Sequence, residues 1–488
     1  MIRKTAALAL VATILGGAAH AETVRQGLVL DRVTVVDVRA GRLLRNRAVV
    51  IEGERIVKVA AAGSVTAAGA ARRVDGGGRY LVPGYNDMHA HNLNTASPET
   101  SLPLMLANGI TGFRQMAGAP ALLAARAGGK PLVPADSPAL LAMPGTLLAG
   151  PAFAAPAAVT AEVAQQKAGG ADFIKVVDLP APAFLAAADA ARANGLPYAG
   201  HLPPTVDARE AMRRGMAAIE HLGPGISLLL SCSRDEVPIR AAIAAAPPQR
   251  APVDFAMPPA QLARALANPN LLTPPPGYAL MRRVLATFDE ARCRAFATEL
   301  AASNTWVVPT LTRLEAMDLG NDPALRDNPD LRDVPAGVRS MWRDVGGDFE
   351  AKLTPEQRQV LVDLFAQQLR LTKLFDAAGV KMLAGTDFGG QWIVPSSLHR
   401  EFDLLARAGV SPLHILRMTT LDPATFLDRE ATMGTVEAGK AADLVLLDGD
   451  PLASVANMHR VAAVVRAGRY LDRATLDTMA AQARQRLP

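Results

Sequence analysis

Eight short apolar runs, spread through the middle of the chain and separated by helix-forming sequence, limit its fold more than any other feature. They are Met88–His91, Gly112–Gln115, Leu140–Met143, Phe173–Val177, Tyr198–His201, Ala218–His221, Trp306–Pro309 and Lys381–Thr386. Strands alternating with helices mark a parallel sheet with crossover connections, and eight such units predict an α/β chain folded as a (β/α)8 TIM barrel. The helix expected over Ala183–Asn194, for example, leads through Gly195 into Leu196–His201. With 488 residues the chain has room for this barrel and a second unit. β-rich runs at both ends supply that unit: Leu28–Val36, Ala48–Ile51 and Arg55–Ala60 before the barrel, Ala442–Asp448, Val461–Arg466 and Gly468–Tyr470 after it. Neither block can bury a face alone, so the two are expected to pack as one small β-sandwich. The divisions that result are 22–83 and 429–488 for the sandwich and 84–428 for the barrel.

Two connections are longer than barrel loops require, Gly223–Asn304 and Arg313–Pro355. Inserts of this size above a barrel mouth shape or cover the site, or else decorate the fold. Cys232 and Cys293 both fall in the first insert. A disulfide between them and two separate thiols are both open readings, and neither cysteine has the neighbours of a nucleophile.

The start of the chain bears on where such a bridge could form. Met1-Ile2-Arg3-Lys4, the apolar run from Thr5 to Ala18, and Ala19-His20-Ala21 read as a secretory signal peptide, cleaved after Ala21. Its alanine-rich character suggests a bacterial periplasm. No later stretch is apolar and long enough for a membrane span. The formal charge is +5, but the basic residues are scattered and aromatics make up only 4%, so no nucleic-acid partner is expected. A small-molecule substrate is the expected partner, and a homo-oligomer stays open.

Chemistry-bearing residues sit at the expected strand ends, where barrels keep their active sites. The first strand ends in His89 and His91; on a strand, residues two apart share a face, so both imidazoles can meet one ion. Lys175 lies in the apolar strand Phe173–Val177, where an unpaired ammonium would be costly. His201, His221 and Asp387 end the fifth, sixth and eighth strands. Alone, His201 or His221 would be a hydrogen-bonded or exposed histidine and Asp387 a helix cap. Together they describe a metal site.

The segments around these residues resemble the amidohydrolase superfamily of metal-dependent hydrolases. The resemblance runs over Pro83-Gly84-Tyr85-Asn86-Asp87-Met88-His89-Ala90-His91, Gly109–Arg114, Ile174-Lys175-Val176, Glu220-His221-Leu222, Ala384–Asp387 and Gly434–Val445. It is nearest to the imidazolonepropionase-like and Xaa-Pro dipeptidase-like branch, which carries a lysine on the fourth strand. It implies two divalent metal ions, with zinc best suited to the donors. His89, His91 and Asp387 would hold the deeper ion, and His201 and His221 the outer one. Lys175, carboxylated by carbon dioxide, would bridge them together with hydroxide. Asp387 would take the hydroxide proton and pass it to the leaving amine. Tyr85-Asn86 and Gln115 depart from the usual pattern without removing a proposed ligand. His399, His414 and His459 are expected to be structural or exposed.

The expected activity is hydrolysis of an amide-like bond in a dipeptide or an N-acyl amino acid. A lactonase or phosphotriesterase, a mononuclear deaminase and a non-catalytic binding protein are the alternatives. For substrate contacts the sequence offers Arg313, which could meet a carboxylate, and Tyr278 more weakly, with Arg282 and Trp392 beside them.

Overall fold

The computed structural model describes residues 22–95, 98–246, 253, 255 and 257–488. The expected signal peptide lies outside the described residues. The middle of the chain is α/β and TIM-barrel-like. Ala139–Ala142, Ile110–Gln115 and Tyr85–Ala90 form one parallel sheet. Leu148–Ala149, Ile174–Val177, Tyr198–Gly200, Met216–Glu220 and Trp306–Val308 form a second. The expected eighth strand, Lys381–Thr386, makes one isolated bridge, Met382 to Val307, and Phe388 just after it bridges Ala90, so the strands are joined as two sheets and not one barrel sheet. Its backbone bonds switch from one neighbour to the other: Leu383 N donates to Val307 O and Asp387 N to His89 O. Interior parallel strands share their bonds between two neighbours in this way, so the segment links Trp306–Val308 on one side to Tyr85–Ala90 on the other.

The terminal segments meet in a single mixed sheet of eight strands. Its order runs Arg469–Asp472, Val461–Arg466, Leu444–Leu447, Tyr80–Pro83, Leu28–Asp37, Arg42–Glu52 and Arg55–Ala61, with Arg72–Asp75 also pairing to Leu28–Asp37. The two ends join through antiparallel pairing of Tyr80–Pro83 with Leu444–Leu447. A sandwich of two comparable sheets is not what these pairings make; the second sheet is only Glu22–Val24 with Val65–Ala67. Val24, Val29, Ala48, Val50 and Val65 are buried together between them.

This terminal sheet fixes where the site begins. Tyr80–Pro83 runs through Gly84 straight into Tyr85–Ala90. A Cβ on Gly84 would sit 1.9 Å from Thr111 Oγ1, so only glycine allows the two chains to pass. Tyr85 and Asn86, the unusual pair, anchor the strand sideways. The Tyr85 hydroxyl donates to Met458 O at 3.0 Å, and Asn86 Nδ2 donates to Thr419 O at 3.0 Å.

Both inserts are helical. The first holds Glu236–Ala245, Pro259–Ala267, Pro275–Ala286 and Glu290–Ala302; the second includes Ala336–Lys352. Cys232 and Cys293 are joined by a disulfide that ties the start of the first insert to its last helix. Among the described residues, no helix is long and apolar enough to cross a membrane.

Candidate active site

The expected ligands converge at the strand ends. The ligand atoms of His89, His221 and Asp387 lie within 4.8 Å of one another. His91 Nε2 is 3.1 Å from Asp387 Oδ1, and the His201 ring lies 5.0 Å from that of His221. Lys175 is buried beneath them on Ile174–Val177. The sequence-level ligand set is thus brought to one place.

What holds each imidazole was less visible in the sequence. His89 Nδ1 is 2.7 Å from Glu220 Oε2, and the other Glu220 oxygen accepts from Arg114 Nη2 at 2.7 Å. With a carboxylate at Nδ1, the proton sits there and Nε2 keeps its lone pair for the site. His221 Nδ1 lies 2.6 Å from Thr310 Oγ1, and His201 Nδ1 is 2.9 Å from Asp178 Oδ1. Asp87 works from below: its Oδ1 accepts from the backbone N–H of His89 and Thr386, and its Oδ2 from the Thr386 hydroxyl at 2.6 Å. Gln115 orders the loop after His91 by accepting from Leu93 N and donating to Asn94 Oδ1. Glu220 and Asp178 sit next to or near residues already singled out, a signal that could have found them. Thr310 had none.

The backbone around the site is strained. Asp178, His221, Leu222, Thr310 and Asp387 all have φ between +47° and +61°. Left-handed conformation at non-glycine residues costs about 1 kcal/mol or more each and persists where surrounding contacts over-determine it. Here it aims side chains off the strand ends. Gly385 serves the same crowding, since a Cβ there would lie 2.9 Å from His89 N.

Burial and neighbouring charge set the protonation states. Burial pushes His91 below the ordinary imidazole range despite the Asp387 carboxylate, and holds His221 well below it. Both are neutral, the form that ligates metal. Burial alone would raise Asp387, but His89 and His91 outweigh it and hold the carboxyl well below its usual range. Glu220 behaves alike, lowered to about 2 as Arg114 and His89 overcome burial. Burial lowers the Lys175 ammonium to about 8 against the pull of Glu220 and Asp387. Among the buried nitrogens that have no hydrogen-bond partner within the described residues are His89 Nε2 and Lys175 Nζ, which face the cavity. His89 Nε2 lies 3.2 Å from Asp387 Oδ1, but out of hydrogen-bonding alignment. Buried polar atoms are satisfied almost everywhere in folded proteins, so these orphans, ringed by imidazole and carboxylate, fit a divalent metal centre.

The site opens into a cavity of about 790 Å³. Arg313 lines it, but its guanidinium is engaged: Nε is 3.1 Å from Asp387 Oδ2, Nη1 donates to Ala267 O and Nη2 to Leu266 O. Tyr278 does not line the cavity; it is buried in the first insert and its hydroxyl donates to Asn270 O at 2.8 Å. Trp392 donates from Nε1 to Gly320 O. His399 is half-buried and stacked on His459 with rings 4.7 Å apart, so His459 too is half-buried rather than exposed. His414 pairs with Asp376.

Strand-end imidazoles, a carboxylate and a buried lysine thus share one pocket on a TIM-barrel-like frame. The profile of the Amidohydrolase family matches residues 288–471. Among solved structures, the bottromycin amidohydrolase is similar at 23% identity and a TM-score of 0.66, covering 94% of this chain and 89% of that one. A putative prolidase from Bifidobacterium longum is similar at 20% identity and a TM-score of 0.59, covering 94% and 99%. A prolidase complexed with N-methylphosphonate-L-proline is similar at 22% identity and 0.59, covering 91% and 99%. No curated protein matches the chain in sequence. The family match covers residues 288–471, and the likeness to these solved structures is one of fold over nearly the whole chain.

Proposed function

We propose that the protein is an exported, dinuclear-metal amidohydrolase that cleaves an amide-like bond in a dipeptide or an N-acyl amino acid. The observation that carries this reading is the pair of buried, unpartnered nitrogens, His89 Nε2 and Lys175 Nζ, beside the neutral imidazoles of His91 and His221. Leaving such atoms unsatisfied costs stability unless a ligand or modification completes them. His89, His91 and Asp387 would hold one ion and His201 and His221 a second. Lys175 would bridge them once its amine has added carbon dioxide, and a lysine lowered to about 8 keeps some neutral amine for that reaction near neutral pH. When bound, the ions, with zinc favoured by nitrogen and carboxylate donors, supply Lewis acidity at the scissile carbonyl and a nucleophilic water.

The chain's own residues complete the chemistry. Glu220, locked by Arg114, keeps the His89 lone pair turned into the site. Arg313 grips Asp387 at Oδ2, which leaves Oδ1 facing His89 and His91. Held ionised, the Asp387 carboxylate takes the proton of the attacking water and returns it to the leaving nitrogen. The disulfide suits the oxidising compartment read from the sequence.

Metal content of the mature protein, purified with bicarbonate present, tests this reading directly. About two metals per chain, falling clearly in Lys175→Ala, is the expected result. A single metal indifferent to the substitution would sink the dinuclear mechanism and favour a deaminase.

A further inference from the structure

The cavity is polar at the strand ends and apolar on the side built by the inserts. Pro259, Leu262, Ala263 and Leu266 all line it, and they stand at the first, fourth, fifth and eighth positions of the helix Pro259–Ala267. That spacing is one helical face. An apolar face normally packs on the protein core; this one borders the cavity, and Leu266 is 38% exposed. The helix Ala336–Lys352 presents Val338, Met341 and Trp342 to the same cavity at the same helical spacing. On the outside, Arg264 Nη2 of the first helix is 2.8 Å from Asp348 Oδ2 of the second.

This wall begins beside the reacting groups. One guanidinium, that of Arg313, touches Asp387 with Nε and the carbonyls of Leu266 and Ala267 with its other nitrogens. Among the described residues lining the cavity, Lys175 and Arg313 are the only lysine or arginine. The first lies under the histidines, and the second is held by Asp387 and the helix end. Asp333, the acid near the apolar wall, is paired with Arg484. A charged group on this side of the substrate would lose its water without a counterion.

We infer that the inserts form a specificity wall for a large uncharged apolar group, aliphatic or aromatic, carried next to the scissile amide. The inference rests on the amidohydrolase reading and narrows its substrate class. A cavity of about 790 Å³ accepts ligands well beyond a small dipeptide, and methionine at Met341 lets the wall adapt to more than one shape.

Two substrate series on the metal-loaded enzyme test it, one enlarging the acyl part from N-acetylglycine to N-decanoylglycine, the other the amine part from N-acetylglycine to N-acetylphenylalanine. In at least one series kcat/KM should rise by about 50-fold or more, as added apolar contacts in a fitted pocket do. Leu262→Gln and Leu266→Gln should each cut the ratio of large to small substrate by about tenfold. Flat series, or ratios unmoved by both variants, would overturn the wall. Displacement of 1-anilinonaphthalene-8-sulfonate from the same protein by decanoate and by acetate reads the wall without turnover. Decanoate should compete about 50-fold better and lose that advantage in the variants; equal competition would overturn the inference. Absence of hydrolysis across the panel, with decanoate still preferred, would discard the amidohydrolase reading and leave an apolar binding wall in place.

Discussion

The floor of the cavity and its insert-built wall follow different rules. On the floor, the imidazoles of His89, His201 and His221 each meet an oxygen at Nδ1, supplied by Glu220, Asp178 and Thr310. Moving one side chain there strands its partner, and the left-handed residues leave little slack. The wall is made of side chains that need only be apolar and about the right size. Its Leu266 and Val338 touch the cavity through shape alone. A site built from both can keep its chemistry fixed while the substrate it accepts drifts.

The largest break in this contrast should come from Asp387→Asn. It keeps the size of the side chain but removes the proton acceptor, so kcat/KM should fall by about 10³-fold or more with the far-ultraviolet circular dichroism unchanged. A loss below about tenfold would move the proton to another group. Thr310→Val should be milder. His221 loses the oxygen at Nδ1, and metal affinity by competitive chelation should drop by about 10–100-fold, with Thr310→Ser restoring most of it. Equal affinity in all three proteins would make Thr310 a packing residue.

The smallest effect belongs to the wall's support. Asp318 is buried at the end of Leu311–Asp318, accepts from Asn270 Nδ2 at 2.8 Å, and burial raises its carboxyl to about 7. Its folded value lies above the unfolded one, about 3.9. Between these the unfolded chain releases the proton and the folded chain keeps it, so stability falls as pH rises through that window. Asp318→Asn should flatten the decline in urea stability between about pH 4 and pH 7, leaving metal content unchanged. The same slope in both proteins would show that Asp318 is ionised in the fold.

Much of the floor was legible because its residues are chemically rare in strands. His89, His91, Lys175, His201, His221 and Asp387 interrupt apolar runs, and an ionisable side chain at the end of a buried strand has few structural uses. Arg313 looked free to meet a carboxylate because sequence carries no record of Asp387 beside it. Tyr278 was misleading for a related reason: its hydroxyl is used by Asn270 O eight residues away, inside the insert. His459, expected at the surface, stacks on His399 from a helix far away in the chain.

Local pattern and residue chemistry were enough to mark the alternation of strands and helices, the cluster of ionisable residues at the strand ends and the joining of the two chain ends. Tertiary structure alone decided the rest. That the strands form two open sheets, with Lys381–Thr386 bridging both edges, follows from which backbone groups come within reach of one another. That Thr310 orients His221, 89 residues earlier in the chain, depends on a contact no spacing rule encodes. And the apolar face of Pro259–Ala267 reads in sequence like any core-packing helix; only the fold sets a cavity, rather than a neighbour, against it.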